Sequence, residues 1–397
     1  MKVNSAFSLF CILILLVILP SLFFVTLRLP SLTVGFFAAL LLFCFIMLVK
    51  HPCVKFSNKT MLYGSAVILL LFLFNLQNMQ DNIKVLFSVL LASIFILSSI
   101  LFSALFIRFG EFSSQKYIVK AAIFLSCLGW LSFFFKINHF GFEYYLKSVF
   151  VFYEPSHFAV IFGIFFVASI SFDIPEKIKG YLLLSSLSFG LFLPNATMLV
   201  YSVIAIALMV RSFSSYVFIV IALTSFVFFL VFIQPELLVY YADRIFLSES
   251  NSNLSALVYL QGWQEAYKSI VETNGLGLGF QMAGTNSPSE MAQRIYSIAS
   301  VYLNREDGSF LAAKVVIEFG VLGVFFVLLY LVLFCRSFIS IRRGAYNVGD
   351  FGLFFDSMVV GFFVDMFVRS AGYFTLGFFM LAVAIGLRVQ WRFTCVK

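Results

Sequence analysis

Phe152-Tyr153-Glu154-Pro155-Ser156-His157 gathers a phenol, a carboxylate and an imidazole in one short run. Pro155 suits the first turn of a helix, and the residue before a proline is pushed to extended backbone, so Glu154 reads as an N-cap. An acid is favoured there by the helix dipole. Glu154 therefore either caps a helix or serves as a rigidly held carboxylate for proton transfer. His157, one turn in, faces the positive helix end, which disfavours the imidazolium. It is either a hydrogen-bonded packing residue or a second catalytic group.

Asn304-Arg305-Glu306-Asp307-Gly308-Ser309 is the next cluster. Asp307 can accept a proton there, and Arg305 can clamp a phosphate. The plain alternative is a solvated approach to the following helix, with Lys314 and Glu318 pairing at i, i+4. Arg244, Lys268, Arg294, Arg305 and Arg369 are candidate cations for an anionic substrate. Arg369 follows Asp365 by four residues, the spacing of an intrahelical ion pair. Asp365, Asp356 and Glu318 read as peripheral acids. In Asn274-Gly275-Leu276-Gly277-Leu278-Gly279-Phe280-Gln281, alternating glycines permit close backbone approach, either to a phosphate or between helices. It lacks the Lys-Ser/Thr pair and strand-turn-helix setting of a phosphate loop, so a turn is favoured.

The elements that must position these residues are hydrophobic throughout. Of 397 residues, 62% are hydrophobic, 11% are charged and 56 are phenylalanine. A soluble domain is nearer half apolar and a quarter charged, and so few charges cannot cover so much apolar surface. A soluble fold, a disordered chain and a collagen-like fibre are excluded. The expected class is an all-α polytopic membrane protein of about twelve spans, since a bilayer core needs roughly 17–25 apolar residues per helix. The runs are 6–27, 32–49, 61–76, 83–107, 117–135, 149–172, 181–193, 196–210, 216–233, 315–335, 351–368 and 371–387. The pair 181–193 and 196–210 is separated only by Pro194 and Asn195, so either two spans or a re-entrant hairpin fits.

With the N-terminus inside, sixteen Lys and Arg fall in inner segments and five in short outer loops. This bias puts both termini in the cytoplasm. The net charge of +8 is then a topology signal rather than a sign of a nucleic-acid partner. Residues 234–314 form a large outer loop, dividing the chain into a nine-span bundle (1–233), this loop, and a three-span bundle (315–397). Within it, 255–272 predicts an amphipathic helix closed by Asn274-Gly275. Leu257, Leu260, Trp263 or Gln264, Tyr267 and Val271 recur at helical spacing, placing the helix on the membrane or against the bundle.

Cys11, Cys44, Cys53, Cys127, Cys335 and Cys395 show no CxxC spacing and no disulfide framework. His51, His139 and His157 are scattered, and no DxD-type acid pair occurs, so no metal is expected. There is no Gly-x-Ser-x-Gly elbow.

Glu154-Pro-Ser at the start of a middle helix, Trp263 and Gly275-Leu-Gly-Leu-Gly279 in a long outer loop, and Asp307-Gly-Ser followed by Ile317-Glu-Phe-Gly-Val-Leu-Gly323 are the features of a resemblance. The chain resembles the O-antigen polymerases (Wzy-type) of bacterial surface polysaccharide assembly, and more distantly the O-antigen ligases. The resemblance implies transfer of a growing glycan from undecaprenyl pyrophosphate onto an incoming lipid-linked repeat unit. That reaction occurs at the outer face of the inner membrane and needs no cofactor. It implies undecaprenyl-pyrophosphate-linked oligosaccharides and membrane lipid as partners, with a chain-length regulator as a further one. Glu154 or Asp307 would be the base, with His157 beside them. Arg305, Arg294 and Arg244 would clamp pyrophosphate, with Arg369 behind. A ligase and a lipid-linked sugar flippase are the alternatives. A carrier of two six-span repeats would carry its long connection inside, between the halves.

Overall fold

The computed structural model describes residues 2–29, 31–50, 58–75, 82–135, 141–144, 148–193, 195–210, 235–245, 253–344, 346 and 351–394. The regular elements among these residues are helices, including a 3-10 turn at Phe142–Tyr144, with one isolated bridge between Val149 and Phe152. The helices are α1 (Lys2–Thr26), α2 (Leu32–Lys50), α3 (Asn58–Asn75), α4 (Asn82–Phe109), α5 (Glu111–Phe134), α6 (Pro155–Ser171), α7 (Glu176–Phe192) and α8 (Ala196–Met209). After them come α9 (Pro235–Ile245), α10 (Leu254–Glu272), α11 (Glu290–Ala299), α12 (Leu311–Arg343), α13 (Gly352–Gly361), α14 (Phe363–Phe367) and α15 (Leu376–Thr394). The expected span 216–233 lies outside the described residues.

Three stretches are long and apolar enough to cross a membrane, Val85–Phe109, Glu111–Phe134 and Leu311–Arg343, and several shorter apolar helices accompany them. Large apolar side chains such as Leu62, Phe87 and Val332 stay exposed. Such outward apolar faces on a chain this poor in charge mark a membrane-embedded protein.

α6 is the central element. From Phe158 to Ile170 nearly every side chain is buried, against α5, α8 and α13. A helix that is apolar all round belongs inside, and this one is enclosed by protein. Its first turn differs from the expected start at 149, because residues 148–154 are non-helical and the helix opens at Pro155. α7 and α8 are two helices lying side by side, with Ser186 Oγ 2.8 Å from Ser202 Oγ. Asn195 starts α8 as its N-cap, its Oδ1 accepting from the Thr197 and Met198 amides. The same side chain donates from Nδ2 to the Pro155 carbonyl at 2.7 Å. One amide thus ties together the starts of α6 and α8.

α12 is broken at Gly320, whose φ of 56° and ψ of −130° interrupt the helix. The glycine-rich loop satisfies the carbonyls this break frees. Leu278 and Gly279 donate to Ile317 and Glu318, and Val321 donates to Gly275. The approach is so close that a Cβ on Gly277 would stand 2.5 Å from the Glu318 oxygen. Of the two uses the alternating glycines admitted, contact with a helix is the one found.

α10 begins one residue before the expected helix, capped by Asn253, and ends before Asn274 and Gly275, both at positive φ. It rests on α12 through small and polar residues, Gly262 against Phe310 and Ser269 Oγ donating to the Ile317 carbonyl at 2.6 Å. Trp263, Tyr267 and Val271, part of the predicted apolar face, are exposed. Close packing of helix on helix selects small side chains, so these three residues do not dock on α12, whereas Leu257 of the same face is buried against Met291 and Ile295.

Candidate functional site

The loop before α6, the loop before α12 and the end of α14 meet at one end of the bundle. Glu154 has the extended backbone expected of an N-cap, φ −146° and ψ 154°, yet its side chain makes no capping hydrogen bond. Glu154 Oε1 instead lies 2.9 Å from His157 Nε2 and 3.0 Å from Arg369 Nη2. The Tyr153 hydroxyl is 2.5 Å from the same imidazole nitrogen. Burial pushes the Glu154 carboxyl up, but the His157 hydrogen bond and the Arg369 charge outweigh it and hold its pKa at about 2. A carboxylate that acidic binds cations well and accepts protons poorly.

The pairing corrects a sequence expectation. Arg369 was expected to pair with Asp365, but it reaches across to Glu154. α14 ends at Phe367, and the Arg369 amide bonds back to the Val364 carbonyl, so the i, i+4 geometry is lost. Asp365 is fully buried and takes hydrogen bonds from Tyr201 and Thr375 at 3.3 and 3.4 Å. Asp356 and Glu318, expected at the periphery, are buried too. Asp356 accepts from Ser337 and Tyr346, each at 2.8 Å, and Glu318 lies 3.7 Å from Lys314. The Lys314–Glu318 pair occurs at the expected spacing, but inside the protein rather than in solvent.

Glu154, His157, Asp307 and Arg369 line one cavity of about 300 Å³. Leu16, Pro20 and Phe24 from α1 and Leu32 and Phe36 from α2 give it a mostly apolar flank, interrupted by Ser31 and Thr33. Asp307 makes no hydrogen bond or ion pair with the described residues, and it shares the cavity lining with His157. Unlike Glu154, it faces the cavity with no cation partner among the described residues.

Arg244 comes close to the same cluster. α9 is pinned by the Tyr241 hydroxyl, which donates to the Gly190 carbonyl beside the start of α8. Arg244 lies over the Tyr240 ring at 3.7 Å, and its Nη1 is buried with no hydrogen-bond partner among the described residues. Burial and the like charge of Arg369 both lower its pKa. Two guanidiniums close together, one with an unmet buried donor, suit an anion with several oxygens.

No protein family, curated protein or solved structure matches the chain.

Arg305 stands apart from this cavity. Its fork donates to Glu265 at 3.1 Å, to the Gly284 carbonyl at 3.0 Å, and to Asn286 through both its carbonyl and its side chain. It holds α10 to the segment around residue 285. Lys268 likewise donates to Ser287 and Pro288. Arg294 is half-buried on α11 and does not line the cavity. Among the described residues no three His, Cys, Asp or Glu side chains gather into a metal-binding group. The sequence named Tyr153 without a role, gave Asn195 only as a break between helices, and offered Lys314 only as a surface pair. An unaccompanied polar residue beside a helix start was the available signal, and it does not name its partner.

Proposed function

We propose that the protein is a polymerase of lipid-linked glycans, transferring a growing chain from undecaprenyl pyrophosphate onto an incoming lipid-linked repeat unit. The observation that carries this reading is the two-sided cavity, with Arg369, Glu154, His157 and Asp307 at one end and the apolar wall of α1 and α2 along its flank. An amphipathic ligand with an anionic head and a hydrocarbon tail fits such a lining. About twelve spans, an outer loop over 234–314, cytoplasmic termini and an inner-membrane location belong to the same proposal. It is supported by the end of the bundle opposite the cavity, where Lys179, Arg342 and Arg343 lie near helix ends.

In the reaction, an acceptor hydroxyl attacks the anomeric carbon of the donor glycan. The new C–O bond forms as the C–O bond to pyrophosphate breaks, and the electron pair leaves with the pyrophosphate. Asp307 takes the hydroxyl proton and later releases it to water. Arg369 and Arg244 neutralise the charge growing on the leaving group. Glu154 and His157 hold Arg369 in place.

Reconstituted protein supplied with lipid-linked repeat units is expected to produce a ladder of lengthened chains on gels. A single transfer onto a different lipid acceptor would instead indicate a ligase. Movement of the substrate without a new glycosidic bond would indicate a carrier.

A further inference from the structure

Beyond Asp307 the main cavity is continued by a second one of about 130 Å³. The two share Thr33, Asp307, Ala371 and Phe374, so Asp307 stands on the wall between them. Gly372 keeps that wall thin. A Cβ there would stand 3.1 Å from Asp307 Oδ1 and 3.5 Å from Lys314 Nζ, and its φ of +82° favours glycine.

The two compartments differ in charge. The main cavity holds Arg369, with Arg244 nearby. In the smaller one the cation is Lys314, and it is already engaged. Its ammonium donates to the Glu306 carbonyl at 2.7 Å and to Gln281 Oε1 at 3.3 Å, and lies 3.7 Å from Glu318. Two acceptors take hydrogen bonds from it, and the Glu318 carboxylate pairs with its charge. Among the described residues, a phosphate entering this compartment would meet the Asp307 carboxylate, and the cation that lines it, Lys314, is already paired with Glu318. Thr33 and the Gln281 Nε2 group offer uncharged hydrogen-bonding groups, Ser88 adds a hydroxyl to the wall, and the Tyr373 and Phe374 rings offer apolar faces. That mixture matches a polyhydroxyl ring, whose hydroxyls both give and take hydrogen bonds and whose C–H face packs on aromatics.

We propose that the smaller cavity is the acceptor subsite, taking one neutral sugar ring of the incoming repeat unit. Asp307 then lies between the acceptor hydroxyl in this compartment and the pyrophosphate of the donor in the other. The inference rests on the polymerase reading and adds where each substrate binds.

Two cysteine probes test it in the purified full-length chain on a cysteine-free background, Ser88→Cys for the small cavity and Asn304→Cys for the large one. The rate of methanethiosulfonate modification is measured with two ligands, the repeat-unit oligosaccharide freed from its carrier and undecaprenyl pyrophosphate. The oligosaccharide is expected to slow modification at position 88 alone, and undecaprenyl pyrophosphate at position 304 alone. Protection of both positions by undecaprenyl pyrophosphate and of neither by the oligosaccharide overturns the acceptor subsite while leaving the polymerase reading standing. No protection by either ligand at either position overturns both. Kinetics provide an independent check, in which Gln281→Ala raises KM for the single repeat unit about tenfold, the value of one lost hydrogen bond, and leaves KM for a pre-extended donor unchanged. A rise confined to the donor overturns the assignment.

Discussion

Glu154 Oε1 and Arg369 Nη2 are 3.0 Å apart in the fold and 215 residues apart in the chain. The contact joins the loop before α6 to the end of α14, and His157 shares the same carboxylate oxygen. It makes Glu154 a partner of a cation that faces the cavity, and it leaves Asp307 as the unengaged acid.

The two acids are therefore expected to respond differently to amide substitution. Asp307→Asn removes the proton acceptor and is expected to lower polymerisation by ~10²–10⁴-fold. Glu154→Gln keeps a hydrogen-bond acceptor for Arg369 but loses the charge, so activity falls by about tenfold. Glycan length on gels, normalised to protein level by blot, gives the comparison. A larger loss from Glu154→Gln than from Asp307→Asn would return the role of base to Glu154.

The pH profile follows from the same ion pair. The Glu154 pKa is lowered to about 2, against about 4.3 for a free Glu. The stabilisation it contributes is complete above the unfolded value and is lost as pH falls through about 2. Across the range from about pH 4 to pH 8 Glu154 stays charged. Glu154→Gln should accordingly lower the plateau of kcat/KM without shifting its acid limb. A limb displaced in that variant would show that Glu154 titrates during turnover.

Arg305 and Arg244 are expected to separate stability from binding. The Arg305–Glu265 pair is nearly buried, with side chains 10% and 3% exposed. Breaking such a pair from one side costs about 3–5 kcal/mol. Arg305→Ala should lower the melting temperature and the amount of folded protein. Arg244→Ala should lower melting less than Arg305→Ala and raise KM for the pyrophosphate-linked donor, because among the described residues its buried Nη1 has no hydrogen bond to lose and its stacking on Tyr240 is the contact removed.

Orientation is open to chemical labelling. Ser287 is exposed on the segment between α10 and α11. In a cysteine-free background, Ser287→Cys is expected to react with an impermeant maleimide in intact spheroplasts. Cys53 restored alone should react only after the membrane is opened. The reverse pattern would invert the proposed topology.

Charge neutralisation by arginine also has a simple test. Activity of the purified protein is expected to survive excess EDTA, and loss restored by magnesium would reassign Glu154, Glu306 or Asp307 as ligands.

Composition alone determined that this chain is helical and embedded in a membrane, because both properties are sums over many residues and survive errors at any one of them. Local rules also sufficed where the cause is local. Pro155 set the start of α6 and the extended backbone of Glu154, and Asn274-Gly275 marked the end of α10. The partners of the polar groups were settled only by the tertiary structure. Arg369 stands at the right spacing for Asp365, yet the helix stops between them, and a guanidinium freed from that helix takes the carboxylate that packing brings near. Arg305 looked like a substrate clamp because residue type alone cannot tell an open guanidinium from one whose hydrogens are already taken. Lys314 and Glu318 kept their predicted spacing, and it was the glycine-rich loop folding onto the break at Gly320 that buried them. Spacing along a helix lists the contacts a residue can make, and close packing between distant segments decides which of them form.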